Sequence, residues 1–182
     1  MTAPRITSGG VREVGPVIRG FAALAGRVMG TQDPQVFLVL GRTRRLFWGW
    51  LLFAGGLMPG GTLPRRETEL VILRVAALTG CDYERSHHER LGRRAGLTTD
   101  ELAAVVTGPA DPSWSTRDRR LLAAVDELHA KHDLSDATWE ELRTELDERR
   151  AVEFLLLAGH YEMLATTLTT LRVQPDPPRR RR

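Results

Sequence analysis

The stretch that decides the fold of this chain runs from Pro64 to Leu97, PRRETELVILRVAALTGCDYERSHHERLGRRAGL. Its first half has helical periodicity, with the acidic residue Glu69 on a stripe of otherwise apolar or small side chains. Gly80 marks a turn to a second helix, and Gly96 is the predicted stop of that helix. A carboxylate buried among apolar neighbours costs free energy unless it has a partner or a role. We therefore expect two adjoining helices with a functional site between them.

The second helix carries three reactive side chains on one face. Cys81, Glu84 and His88 are spaced i, i+3 and i+7, which places them within an arc of roughly 60°. The imidazole of His88 can accept or donate protons near neutral pH. Cys81 is predicted near a helix N-terminus, where the macrodipole lowers the pKa of a thiol. His87 points away from His88, so a two-histidine metal site is not supported, and no metal or other cofactor is predicted.

This pattern resembles the carboxymuconolactone decarboxylase and alkylhydroperoxidase D-like family. The peroxidase branch of that family has a Glu followed by Cys-x-x-Cys-x-x-x-His. By the resemblance, Glu69 falls on the glutamate, Cys81 on the first cysteine and His88 on the histidine, while Glu84 stands in place of the second cysteine. The likeness is specific over about residues 65–110 and looser from 37 to 173.

The resemblance implies an all-α fold, an alkylhydroperoxidase D-like bundle of helical hairpins. It also implies a homo-oligomer, a trimer or a multiple of trimers, that acts on a small-molecule substrate. The composition along the chain predicts a flexible N-terminal arm over 1–15 and a single helical domain over 16–172. Residues 173–182 are rich in proline and arginine and are predicted to be a disordered tail.

Two enzymatic hypotheses follow for the site. A dithiol peroxidase cycle within this chain is excluded, because Glu84 cannot form a disulfide. In the first hypothesis His88, with Glu84 and Glu69, performs acid–base chemistry of decarboxylation, lactone or enol type on a small oxygenated substrate, and Cys81 lines the site. In the second, Cys81 is the thiol of a single-cysteine peroxidase that an outside thiol reduces.

A third hypothesis is a non-catalytic, oligomeric binding protein on the same scaffold. It is favoured by the segment around 47–53, where Phe47, Trp48 and Trp50 could line an interface or a pocket. Three further aromatic side chains are secondary site candidates, and each could equally be a packed core residue: Tyr83, His160 and Tyr161.

Composition limits the classes of partner. The chain has 182 residues and a formal charge of +3, and the four terminal arginines, Arg179 to Arg182, supply more than that excess. The body lacks the basic face of a nucleic-acid-binding domain, so no specific nucleic acid is predicted. The most apolar run, Leu46 to Met58, is shorter than the roughly 20 residues that span a bilayer. We therefore predict a cytoplasmic protein without a membrane partner, and its single cysteine suits a reducing compartment.

Overall fold

The structure, a computed structural model, describes residues 3–177, and within that range the chain is helical and has no strand. The all-α prediction is confirmed. A single 3₁₀ turn, Gly41–Thr43, precedes α4. The helices in chain order are α1 (Val11–Val14), α2 (Pro16–Met29), α3 (Gln35–Leu40), α4 (Arg45–Leu57), α5 (Arg65–Thr79), α6 (Asp82–Ala95), α7 (Thr99–Thr107), α8 (Thr116–Lys131), α9 (Asp136–Glu145) and α10 (Glu148–Leu171).

Helix α5 lies at the centre of the fold. Every side chain from Glu67 to Ala76 is buried, so this helix has no solvent-facing side over its middle turns. It packs against α6, α8 and α10. Val71 and Ile72 join the main core with residues of α8 and α10, while Leu70 and Leu73 join a second cluster with α7. A helix buried all round positions any polar side chain on it rigidly.

Gly80 joins α5 to α6 in a tight helical hairpin. Its φ of 63° is left-handed, a conformation that glycine adopts without a steric penalty. The Cys81 amide donates to the Ala76 carbonyl at 3.0 Å, which closes the end of α5. The next helix then returns along α5, so residues of α6 face those of α5.

Described residues near both chain ends contact the helical domain, while the flexible arm and the disordered tail stay predictions. Residues 11–14 form the short helix α1. Its buried side chain, Val14, packs with Ile18 of α2 and Phe47 of α4 in a small apolar cluster. In the tail, the Asp176 carboxylate accepts hydrogen bonds from the backbone N–H of Gln35 and from the Tyr83 hydroxyl, each at 2.8 Å. These charge-assisted bonds place residues 173–177 against the domain. The Arg179–Arg182 run lies outside the described residues.

Within residues 3–177, no helix is both long enough and apolar enough to cross a bilayer. Several apolar side chains on α2 and α4 are exposed, among them Leu24, Val28, Leu46 and Leu52. The homo-oligomer stays a prediction.

A buried arginine ties α5 to the helices that follow it. Arg74 makes two hydrogen bonds with the Asp126 carboxylate, at 2.6 and 2.8 Å. It also donates to the carbonyls of Val105 and Val106 at the end of α7. Gly108 passes directly over the guanidinium with a φ of 83°, and a Cβ built there would lie 2.3 Å from Arg74 Nη2.

We expect Gly108→Ala to lower the free energy of unfolding by about 1–3 kcal/mol, because alanine would be strained at this φ and would clash with Arg74. Gly20→Ala is the matched control, since a Cβ there meets no atom within 4 Å. In the middle of α2 it should raise stability by up to about 1 kcal/mol. Urea unfolding of both variants measures the difference, and equal effects would contradict this account of the turn.

Candidate active site

Glu69 of α5 and His88 of α6 form a buried hydrogen-bonded pair. His88 Nδ1 lies 2.7 Å from Glu69 Oε2, and the two residues are 5% and 0% exposed. Arg65, one turn earlier on α5, places Nη2 2.6 Å from the other oxygen of Glu69. Arg65 and Glu69 therefore form an ion pair, but the direction of the contact is not that of a hydrogen bond. The carboxylate thus fixes the imidazole through Nδ1, and Nε2 is the ring nitrogen left for a substrate.

Glu84 is the second acid of the site, and it is in a different state. It is 2% exposed, and neither carboxyl oxygen has a hydrogen-bond partner within residues 3–177. Burial raises the pKa of Glu84 to about 8, with a further contribution from the charge of Glu162. At neutral pH this carboxyl therefore holds its proton and can donate it. Glu84 makes no hydrogen bond with His88, although the i, i+4 spacing allowed one; His88 Nδ1 pairs with Glu69 instead.

Glu84 and His88 line a cavity of about 360 Å³ between α2, α3, α4, α6 and α10. Glu69 lies behind His88 and is not part of the wall. Most of the wall is apolar or aromatic: Phe21, Met29, Val36, Phe37, Trp50, Leu51, Ala54, Met58, Pro59, Leu164 and Leu168. A mostly apolar cavity with a few polar groups that converge on it is the usual form of a small-molecule site.

Cys81 does not line this cavity, contrary to the prediction. It faces a separate groove of about 500 Å³ that also contains Thr169, Arg172 and Pro175. Cys81 is the N-cap of α6, with φ −82° and ψ 90°. Its extended backbone therefore takes the side chain out of the helical register on which the prediction rested.

The thiol of Cys81 also differs electrostatically from the expected one. Burial raises its pKa, the charge of Glu84 raises it further, and hydrogen bonds from the backbone of Glu84 and the side chain of Thr169 oppose both only in part. The helix N-terminus is present, as predicted, but the cost of burying a thiolate is the larger effect. Cys81 is 2% exposed.

The three secondary candidates all line the cavity. The ring of Tyr161 meets that of His88 edge to face, with centroids 5.2 Å apart. Burial lowers the pKa of His160 to about 4, so its imidazole is neutral at physiological pH. Tyr83 lines both the cavity and the Cys81 groove, and its hydroxyl accepts from the Val36 amide at 3.2 Å. Of the aromatic segment, Trp50 joins the wall, Phe47 is core and Trp48 is exposed.

Some of the site could not be read from the sequence. Arg65 pairs with Glu69 at i, i+4. This spacing is visible in the sequence, but it is common on helix surfaces and therefore does not indicate a site by itself. Phe21 and Phe37 lie on α2 and α3, well before the α5–α6 hairpin in the sequence, and only the tertiary fold brings them to the cavity. His87 also lines the cavity, where burial first and then the charge of His88 lower its pKa to about 3.

Two further observations concern the rest of the described structure: a second groove, and the question of metal binding. A larger open groove of about 700 Å³ runs beside His129 and Trp139, and none of the four predicted site residues lines it. Among residues 3–177 there is no group of three or more His, Cys, Asp or Glu side chains arranged to hold a metal ion.

Solved structures similar to this one share its fold. A peroxidase-related protein from Ralstonia eutropha with an alkylhydroperoxidase AhpD core matches with a TM-score of 0.83 and 19% identity, over 96% of this chain and 93% of that chain. A protein of unknown function from Agrobacterium tumefaciens, a putative antioxidant defence protein AhpD, matches with a TM-score of 0.67 and 21% identity, over 71% and 90%. The debrominase Bmp8, in complex with 2,3,4-tribromopyrrole, matches with a TM-score of 0.78 and 15% identity, over 96% and 92%.

No curated protein matches the sequence significantly. The carboxymuconolactone decarboxylase family, however, matches residues 44–127. That range contains Glu69, Cys81, Glu84 and His88, together with the whole of the α5–α6 hairpin. The predicted resemblance to the carboxymuconolactone decarboxylase and alkylhydroperoxidase D-like family is therefore confirmed over residues 44–127.

Proposed function

We propose that this protein is an enzyme that performs acid–base chemistry of enol or lactone type on a small oxygenated molecule bound in the 360 Å³ cavity. The observation that carries the proposal is the contrast between its two acids. Glu69 is paired with Arg65 and His88, whereas Glu84 is buried, has no hydrogen-bond partner among residues 3–177, and is protonated at neutral pH. Titratable groups whose environments differ in this way are suited to opposite roles in proton transfer.

In the proposed reaction His88 is the base. Its Nε2 removes a proton from the carbon next to the substrate carbonyl and later returns it to another atom of the same molecule. Glu69 positions the ring through Nδ1 and stabilises the imidazolium that forms. Glu69 is therefore a positioning residue, and Glu84 donates a hydrogen bond to the developing enolate oxygen. The net reaction moves one proton and needs no oxidant or reductant.

The single-cysteine peroxidase is the weaker alternative. A peroxidatic sulfur must be a thiolate within reach of the hydroperoxide, whereas Cys81 is buried and its pKa is raised. It also lies on a different groove from His88, the intended proton relay. The fold supports more than peroxide chemistry, since Bmp8 is a debrominase solved with a small aromatic molecule.

The non-catalytic hypothesis is also less supported. A pure scaffold would gain nothing from Glu84, because an orphaned buried carboxyl costs stability. Natural proteins keep such costs chiefly at functional sites.

We expect His88→Gln to lower proton transfer by about 10²–10⁴-fold, because the base is lost while a polar group remains beside Glu69. Cys81→Ala should retain activity within about threefold, since Cys81 does not line the cavity. The assay incubates neutral enol lactones and β-keto esters with the protein in D₂O and follows deuterium incorporation by NMR.

His132→Gln is the control for this series, because His132 is an exposed histidine outside the cavity. Consumption of cumene hydroperoxide with dithiothreitol as reductant is measured in parallel. The proposal is wrong if Cys81→Ala abolishes that consumption while wild-type protein exchanges no deuterium into any carbonyl probe.

Glu84 should also make stability depend on pH. Its folded pKa of about 8 lies above the usual 4.5, so the folded state binds this proton more tightly than the unfolded state. The contribution of Glu84 to stability therefore falls as pH rises from about 4.5 to about 8. Glu84→Gln imitates the protonated carboxyl and should be the more stable protein at about pH 8.5, by up to several kcal/mol at about 1.4 kcal/mol per pKa unit.

At about pH 4 the wild-type and Glu84→Gln proteins should unfold at similar urea concentrations, because this position is then largely uncharged in both the folded and the unfolded states. Glu140→Gln, which changes an exposed glutamate on α9, is the control and should not reproduce the difference. A constant gap between wild type and Glu84→Gln across this pH range would show that Glu84 is not held protonated.

A further inference from the structure

The cavity wall contains polar atoms that the protein leaves without partners. Besides the Glu84 carboxyl, the Trp50 indole nitrogen and Nδ1 of His160 are buried and have no hydrogen-bond partner within residues 3–177. All three side chains line the cavity, Trp50 from α4, Glu84 from α6 and His160 from α10. Buried polar groups are normally satisfied, so a cluster of orphans around one cavity points to a ligand that satisfies them.

The chemistry of these atoms restricts what that ligand can present. The indole N–H of Trp50 can only donate, and protonated Glu84 offers a second donor, so the ligand must carry an acceptor. The Trp50 and His160 rings lie nearly parallel, 23° apart with centroids separated by 6.2 Å. They thus form one wall with two polar positions, while the rest of the cavity is largely apolar.

The charge of the wall restricts the ligand further. Among residues 3–177, none of the side chains that line the cavity is an arginine or a lysine. Of the guanidinium groups near the wall, that of Arg65 pairs with the Glu69 carboxylate, and that of Arg90 contacts His87 Nδ1. The two histidines at the wall besides His88 are neutral, because burial lowers their pKa values. A carboxylate bound here would lose its hydration without an arginine or lysine of the described cavity wall to pair with it.

From this geometry we propose that the cavity selects an uncharged molecule about the size of one aromatic ring, with a carbonyl or hydroxyl oxygen directed at Trp50 and Glu84, and that it rejects carboxylates. Aromatic edges and faces of Phe21, Phe37 and Tyr161 complement a flat apolar body. The proposal deepens the proposed function, on which it rests for the view that the cavity is the site of chemistry. Its binding claim can be tested without turnover.

Benzamide and benzoate are the matched probes, because they share shape and size and differ in charge. Isothermal titration calorimetry at about pH 7 compares their binding to wild-type protein, Trp50→Phe, Trp48→Phe and His88→Gln. Trp48→Phe is the control, since Trp48 is 42% exposed and outside the cavity. We expect wild-type protein to bind benzamide at least about tenfold more tightly than benzoate. Trp50→Phe should weaken benzamide binding by about 2- to 10-fold, the loss of one neutral hydrogen bond.

Three results would overturn the proposal: benzoate binding as tightly as benzamide, no saturable binding of benzamide up to its solubility limit, or equal effects of Trp50→Phe and Trp48→Phe. The His88→Gln variant separates this proposal from the proposed function. It should keep the preference for benzamide, since His88 is not one of the orphaned groups. Selective benzamide binding without deuterium exchange by wild-type protein would leave the ligand class standing and remove the acid–base function.

Discussion

The buried hydrogen bond between Glu69 and His88 is the interaction on which the site depends. It joins α5 to α6 at 2.7 Å between two buried residues, so the packing of these helices fixes the orientation of the imidazole. Because α5 is buried over its middle turns, Glu69 cannot relax toward solvent if its partners are lost. Arg65 supplies the positive charge that makes this carboxylate tolerable. A buried pair of this kind is costly to build, and this cost supports the proposed role of Glu69 in positioning His88.

Replacing a cysteine by Glu84 within the family pattern has two physical consequences. The chain loses any means of forming a disulfide within itself, since Cys81 is its single thiol. It gains a buried, protonated acid beside an apolar cavity. Both changes favour proton transfer over thiol redox chemistry, and the raised pKa of the Cys81 thiol acts in the same direction. The scaffold is thus compatible with more than one chemistry, and the identity of a few side chains decides between them.

Local rules predicted the helices well and the site only in part. The 3.6-residue periodicity and the glycine stops at Gly80 and Gly96 placed α5 and α6 correctly, because those signals act within a few residues. The cavity depends on Phe21, Trp50 and His160, which come together only through tertiary packing. Cys81 was misplaced because helical register fails at an N-cap. The contacts of Asp176 with Gln35 and Tyr83 span most of the chain, and no local pattern could signal them.

The most direct measurement is the tautomer of His88, read from its two ring nitrogens by ¹⁵N NMR in wild-type protein and in Glu69→Gln. A carboxylate accepts hydrogen bonds and does not donate them, so the neutral ring should carry its proton on Nδ1, toward Glu69, and leave Nε2 bare. Glu69→Gln should weaken this preference, because an amide can either donate or accept. Two results would contradict the assignment of His88 as a base positioned by Glu69: a wild-type His88 with its proton on Nε2, or the same tautomer preference in wild-type protein and in Glu69→Gln.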